Sequence, residues 1–309
     1  MNPVRLSALL TLALSLMANA AEPSGAVGSF LPSRQVVSTN LSTARTVRIW
    51  LPPGYEVSGT NRFPVLYVHD GQNVFSSAGP GVAFGWGPWD IDKAAEKLIA
   101  GGRMRPVVIV AVDNSPKRFD EYAGPRTNPA SRAAFDAYSR FLIDELKPSI
   151  DHEFKTLAGP KDTAVLGSSM GGLCSIALAW ERPDVFGGAA GLSTSFWVEK
   201  RHLLDGVMAR YSGAKKPIRV YLDSGVKAGR TDDGRKDTVD VAARLRELGH
   251  QDDIDLKTFV DEKLHTEEEM AAFGYQPDKQ KEAGRAQHNE FYWRQRVWRA
   301  LEFLFPTNR

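Results

Sequence analysis

The 309-residue chain holds a single cysteine, Cys174. No intramolecular disulfide can form and no cysteine-cluster metal site can be built, so stability has to come from a packed core. Net charge is almost absent: 39 Lys and Arg against 37 Asp and Glu leave +2, which gives no electrostatic footprint for nucleic acid or an anionic membrane. Histidine is scarce, six in all, and no two stand at zinc-motif spacing; Walker-type and dinucleotide glycine fingerprints are missing as well. Neither a metal nor a cofactor is therefore expected. The chain also lacks an internal repeat and a linker-like stretch.

What is present begins with residues 1–20. One basic residue (Arg5), an apolar segment over 6–17 and Ala18-Asn19-Ala20 ahead of Ala21 read as a secretory signal peptide with a small-residue cleavage site. The apolar segment is too short to span a bilayer comfortably, so no stable membrane insertion is expected once the signal is removed. Periplasmic or extracellular residence follows. The remainder, 21–309, is 42% hydrophobic and 25% charged over the whole sequence, enough for one α/β domain with a full core.

The stretch 163–183, TAVLGSSMGGLCSIALAWERP, organises the rest. A short apolar run (Ala164, Val165, Leu166) meets Gly167-Ser168-Ser169-Met170-Gly171-Gly172 and passes into helix-forming composition. Strand, tight turn and helix are the context in which G-x-S-x-G presents a nucleophilic serine, because the glycines remove side chains that would collide where strand and helix pack. Ser169 is the candidate nucleophile, and the Met170 N–H at the helix start is a candidate donor to a developing negative charge.

Around it, strands and helices alternate. Residues 22–40 read as a polar leader, and 46–51 as an edge-type strand ending at Pro52-Pro53-Gly54. Residues 63–69 form a continuous apolar run of the kind buried in a parallel sheet, and the following Asp70-Gly71-Gln72-Asn73 turn nominates the Gln72 N–H as second oxyanion donor. Residues 76–89, rich in glycine and aromatics, either pave a pocket or anchor a loop. PVVIVAV at 106–112 is the clearest central strand. The loop 113–127 carries Arg118, Glu121, Tyr122 and Arg126, and reads as a solvated, salt-bridged loop in preference to a binding one. A helical stripe over 131–150 precedes the 163–183 stretch. Strands over 186–193, 218–223 and 254–260, with a helix over 239–249, complete a single doubly wound, mostly parallel sheet with helices on both faces.

A serine hydroxyl needs a base, and the base needs an acid to orient it. In hydrolases built on such a turn the chain order is Ser, Asp/Glu, His, which sets aside His69 and His152. His202 precedes any acid loop, His250 ends a helix and His265 lies in a charged segment. His288 directly precedes a last helix whose Trp293, Val297, Leu301 and Leu304 recur at helical spacing, and is the candidate base. The acid belongs on the loop after 218–223. Asp223 is still at the strand end and Asp237 in the next helix, leaving Asp233 and Asp232, with Asp233 preferred.

Taken together, RIWLPPGY (48–55), PVLYVHDGQNVF (64–75), Trp89-Asp90-Ile91, Val112-Asp113-Asn114 with Arg118 and Glu121-Tyr122, the stretch 145–148, Gly167–Gly172, Phe196-Trp197 and HNEFYWRQR (288–296) resemble the esterase branch of the α/β-hydrolases. That group holds feruloyl and acetylxylan esterases, S-formylglutathione hydrolases, enterobactin-type siderophore esterases and mycolyltransferases. The resemblance implies an α/β-hydrolase fold, Ser169 as nucleophile, His288 as base, and the N–H groups of Gln72 and Met170 as oxyanion hole. It implies a serine carboxylic-ester hydrolase whose partner is a small-molecule or polysaccharide ester, on acyl or hydroxycinnamoyl esters of carbohydrates. The alternatives are a siderophore trilactone esterase, an acyltransferase, and a binding protein on a hydrolase fold. Two departures stand out. The family's G-T-x-E acid position falls on Ala228, and 262–287 is longer than the usual link to the histidine, a candidate cap segment.

Overall fold

Residues 108–112 (Val-Ile-Val-Ala-Val) show how the core divides. Alternate side chains of a strand leave opposite faces of a sheet: Val108, Val110 and Val112 enter one apolar cluster while Ile109 and Ala111 enter another. Every one of them is buried, so the strand has to be covered on both sides. In the computed structural model, which describes residues 27–226, 232–261, 268, 271 and 287–307, it sits inside a nine-stranded sheet.

The strands are β1 (Ser29–Phe30), β2 (Arg34–Val36), β3 (Arg45–Leu51), β4 (Val65–His69), β5 (Val108–Val112), β6 (Thr163–Ser168), β7 (Gly188–Leu192), β8 (Arg219–Ser224) and β9 (Leu256–Val260). Their order is β1-β3-β5-β4-β6-β7-β8-β9, with β2 also on β3. From β5 to β9 all pairings are parallel, while β1, β2 and β3 join antiparallel. The described helices are α1 (Ile91–Ala100), α2 (Arg118–Glu121), α3 (Pro129–Arg140), α4 (Lys147–Glu153), α5 (Met170–Glu181), α6 (Val198–Arg201), α7 (Arg235–Glu247) and α8 (Glu290–Leu304). Ile91, Ala95 and Leu98 of α1 and Trp293, Val297 and Leu301 of α8 fill one face; α3, α5 and α7 supply the other. This is the doubly wound α/β architecture expected from the alternation of strands and helices.

Three readings change. The leader over 22–40 contains β1 and β2, too short for a hydrophobic period to register, and they cover the outer side of β3, which is therefore not an edge. The helix over 131–150 is α3 and α4 joined by a π-helical turn, Phe141–Leu146. The loop 113–127 is salt-bridged as read but only partly solvated: it contains α2, Lys117 and Asp120 are exposed while Tyr122 and Glu121 are buried, and Glu121 and Arg118 pair inward with Arg45 and Asp70. The signal segment 1–20, His265, Ala228 and all of the candidate cap at 262–287 except Glu268, Ala271 and Gln287 lie outside the described residues. Among the described residues no helix is long and apolar enough to cross a membrane. Cys174, in α5, is fully buried.

The apolar stripe of α8 pins the residues just before it to the sheet. Leu301 is completely buried, and Leu301→Ala should cost about 3 kcal/mol of unfolding free energy, transfer loss and cavity together; a urea titration showing less than about 1 kcal/mol would mean that α8 is not docked this way.

Candidate active site

Ser169 joins β6 to α5 with φ 53° and ψ −121°, a conformation costly for any residue with a Cβ. Close packing holds it there. A Cβ built on Gly167 would lie 2.3 Å from the carbonyl carbon of Gly171, and one on Gly172 would lie 2.7 Å from Thr194 Oγ1. The Ser169 N–H donates to the Leu192 carbonyl at 2.9 Å, its own carbonyl accepts from the Ser195 N–H at 3.0 Å, and its Oγ stands 3.2 Å from Ser195 Oγ. The side chain is thus presented at the carboxyl edge of the parallel strands, where sheets of this type bind ligands.

His288 arrives at the same edge from the start of α8. Its Nδ1 is 2.8 Å from Asp233 Oδ1, and its ring meets the Trp293 ring edge-on, centroids 5.2 Å apart. Asp233 is buried, and its other oxygen accepts from Ser193 Oγ and the Gly225 N–H, both at 2.6 Å. Ser193 Oγ in turn accepts from Trp293 Nε1 at 3.0 Å and Arg296 Nη2 at 2.7 Å. Arg296 lies buried among three aspartates, 3.6 Å from Asp223, 3.7 Å from Asp233 and 3.8 Å from Asp261. Burial opposes its charge, but Asp223, Asp233 and Asp261 raise its pKa on balance.

Ser169 and His288 line one cavity of about 550 Å³. Trp86, Trp89, Trp293 and the 93% exposed Phe84 form its aromatic wall. The lining also includes polar groups. Arg118 grips Asp70 through Nε at 2.6 Å and Nη2 at 2.8 Å, and Asn114 Nδ2 adds a 2.6 Å bond. Asn73 Nδ2 donates to Glu290 Oε1 at 3.2 Å. Burial pushes the Glu290 carboxyl up to about 7, and Asp70 adds to the rise.

The structure therefore gathers Ser169, His288, Gln72 and, through His288, Asp233. Met170 is the first residue of α5, and Gln72 lies in the short 3-10 turn Gly71–Asn73, so both N–H groups belong to first turns, whose leading donors have no partner within the helix. The Gln72 side chain accepts from the Asn114 N–H at 3.1 Å. Asp232 is directed elsewhere: its oxygens accept from the N–H groups of Gly234 and Lys236, both at 3.1 Å, at the start of α7. The aromatic loop 76–89 does both things read from it, since Trp89 is buried and also lines the cavity. Sequence reasoning passed over Ser193, Arg296 and Glu290. The signal for Arg296 was a charge three residues after Trp293 on the inward face of α8; Ser193 directly follows β7, the strand next to the one leading to Ser169.

A sequence model of a family described as "Putative esterase" matches residues 38–304. The chain is 29% identical over 163 residues to an endo-1,4-beta-xylanase/feruloyl esterase of Xylanibacter ruminicola, covering 50% of this chain and only 20% of that protein. It is 22% identical over 280 residues to the uncharacterized protein YbbA of Bacillus subtilis, covering 86% and 94%. Among solved structures, a ferulic acid esterase superposes with a TM-score of 0.64 at 16% identity, covering 90% of this chain and 98% of that one. The enterobactin esterase FES from Shigella flexneri gives 0.62 at 17%, covering 89% and 59%.

One carboxyl under the site carries a pH signature. Burial, outweighing the pull of Arg296 and the Tyr221 hydroxyl, raises Asp223 from 3.8 to about 6. A carboxyl whose folded pKa exceeds its unfolded one contributes stability below about pH 4 that is lost as pH climbs through about 6; this shift corresponds to about 3 kcal/mol. Relative to Asp223→Asn, the wild type should lose about that much between pH 4 and 7.5 in urea titrations, and parallel pH curves would refute the assignment.

Proposed function

We propose, from the premise that the chain belongs to the esterase family, that it is a serine carboxylic-ester hydrolase working through an acyl-enzyme on Ser169. The observation that carries this is the pairing of a strained, half-buried serine with a histidine in one cavity, the histidine held at 2.8 Å by a buried carboxylate. With its Nδ1–H donated to Asp233, His288 keeps Nε2 as acceptor for the Ser169 proton. Ser169 attacks the ester carbonyl, and the N–H groups of Met170 and Gln72 receive the oxyanion; one such donor is typically worth about two to three orders of magnitude in rate. His288 then returns the proton to the departing alcohol, and water clears the acyl group by the same route.

Acyl or hydroxycinnamoyl esters of carbohydrates are the substrates this reading favours. Its support is the aromatic wall of the cavity, suited to flat acyl groups and sugar faces, and the feruloyl esterase named in the Xylanibacter relative. The segment 1–20, read as an export signal, places the enzyme in the periplasm or outside the cell.

Hydrolysis of p-nitrophenyl acetate, methyl ferulate, acetylated xylan and a catecholate trilactone separates the substrate classes. Ser169→Ala and His288→Ala should each lower kcat by about 10⁴-fold or more, and Asp233→Asn by about 10²- to 10⁴-fold. A fluorophosphonate should label the wild type at Ser169 alone. A protein that neither reacts nor hydrolyses, or a Ser169→Ala variant that keeps its activity, would replace this reading with that of a binding protein.

A further inference from the structure

Glu290 has no role in the acyl-transfer scheme, yet it lines the same cavity two residues from His288. An acid at the first position of a helix commonly serves the helix alone, facing solvent with its ionised form favoured by the dipole. Glu290 does not fit that description. It is part-buried, it is clamped through Oε1 by Asn73 from the turn after β4, and its carboxyl is pushed up to about 7, burial overcoming the hydrogen bond to its own backbone. The charged and titratable groups that act on it are Asp70 from the turn after β4, Arg118 from α2 and His288.

The other acid of the lining is already committed. Asp70 gives both oxygens to Arg118 and one also to Asn114, so that pair presents no net charge. Apart from Glu290's own backbone N–H, Asn73 at Oε1 is the one hydrogen-bond donor to this carboxyl among the described residues. The cavity therefore pairs an aromatic wall with a carboxyl that has an acceptor to spare, and a carboxylate there repels a second carboxylate.

The geometry points to Glu290, positioned by Asn73, as a specificity-determining residue that accepts a hydrogen bond from a hydroxyl group of the bound ester and turns away esters carrying a carboxylate. The inference rests on the esterase reading above. The hydroxyl belongs either to a phenolic acyl group or to a sugar alcohol, and matched pairs of esters separate the two: methyl caffeate against methyl cinnamate, and 6-O-acetylglucose against cyclohexylmethyl acetate. An acceptor bond from a charged oxygen makes a difference of about tenfold or more. In Glu290→Ala the kcat/KM ratio within one of these pairs should fall by about tenfold, the pair affected identifying the side of the ester that is read.

Charge is tested separately, with 4-nitrophenyl hemisuccinate against 4-nitrophenyl pentanoate. The wild-type preference for the neutral ester should narrow by about tenfold as pH falls from 8 to 6 and Glu290 takes up its proton. His288 affects both esters alike and cancels from the ratio. In Glu290→Gln the ratio should be narrow at every pH. Equal losses on all four hydroxyl-test esters in Glu290→Ala, or a charge ratio in Glu290→Gln that still follows pH, would overturn the proposal. Should the wild type cleave none of the esters, the hydrolytic reading fails first; calorimetric binding of the same uncleaved pairs to Ser169→Ala and to Ser169→Ala/Glu290→Ala then decides Glu290, equal affinity ratios overturning it.

Discussion

The approach of strand to helix at Ser169 is the constraint on which the site depends. At Gly167 and Gly172 there is no room for even one methyl group, and the serine between them holds a backbone conformation that an isolated peptide would leave at once. The strain is offset by what surrounds it: β6 pairs on both sides in the middle of the sheet, and α5 is buried almost from end to end. Rigidity in the turn is inherited from the sheet. That is how a side-chain hydroxyl can stand on so sharp a bend.

A second arrangement converges on the same edge and has a different physical basis. Asp233 does not hold His288 by itself. Its far oxygen is anchored by Ser193 and a backbone N–H, and Ser193 is anchored by Trp293 and Arg296. Trp293 also packs against the imidazole, so the helix that directly follows the histidine supplies its apolar support and the cation beside Asp233. Buried charges are costly unless paired. Here Arg296 sits among three carboxylates, and Asp223 bears the residual cost in a raised pKa.

Much of this could be read in advance from local pattern. The apolar strands, the glycine-bounded serine and the periodic last helix are short-range signals, and the two residues they pick out, Ser169 and His288, line one cavity. Sequence supported only a lean to Asp233 over Asp232 because the two are neighbours in a glycine-rich loop; the turn, with Asp233 at φ 53°, sends one carboxylate to the histidine and the other to the start of α7. The loop 113–127 misled in part, for a related reason. Charged residues suggest solvent, and the partners that take Arg118 and Glu121 inward, Asp70 and Arg45, lie 48 and 76 residues away in the chain. Ser193 and Glu290 were invisible because their significance is a matter of which atoms face them.

The single thiol has a consequence of its own. Cys174 lies in α5 with no solvent contact, and burial drives its pKa well above that of a free thiol, so the folded chain has almost no thiolate to offer an alkylating reagent. Among the described residues, then, the surface is chemically silent to maleimides. The protein can accept one engineered surface cysteine as a unique attachment point for a dye or spin label without first removing its own. Reaction at Cys174 itself would report that the sheet had come apart.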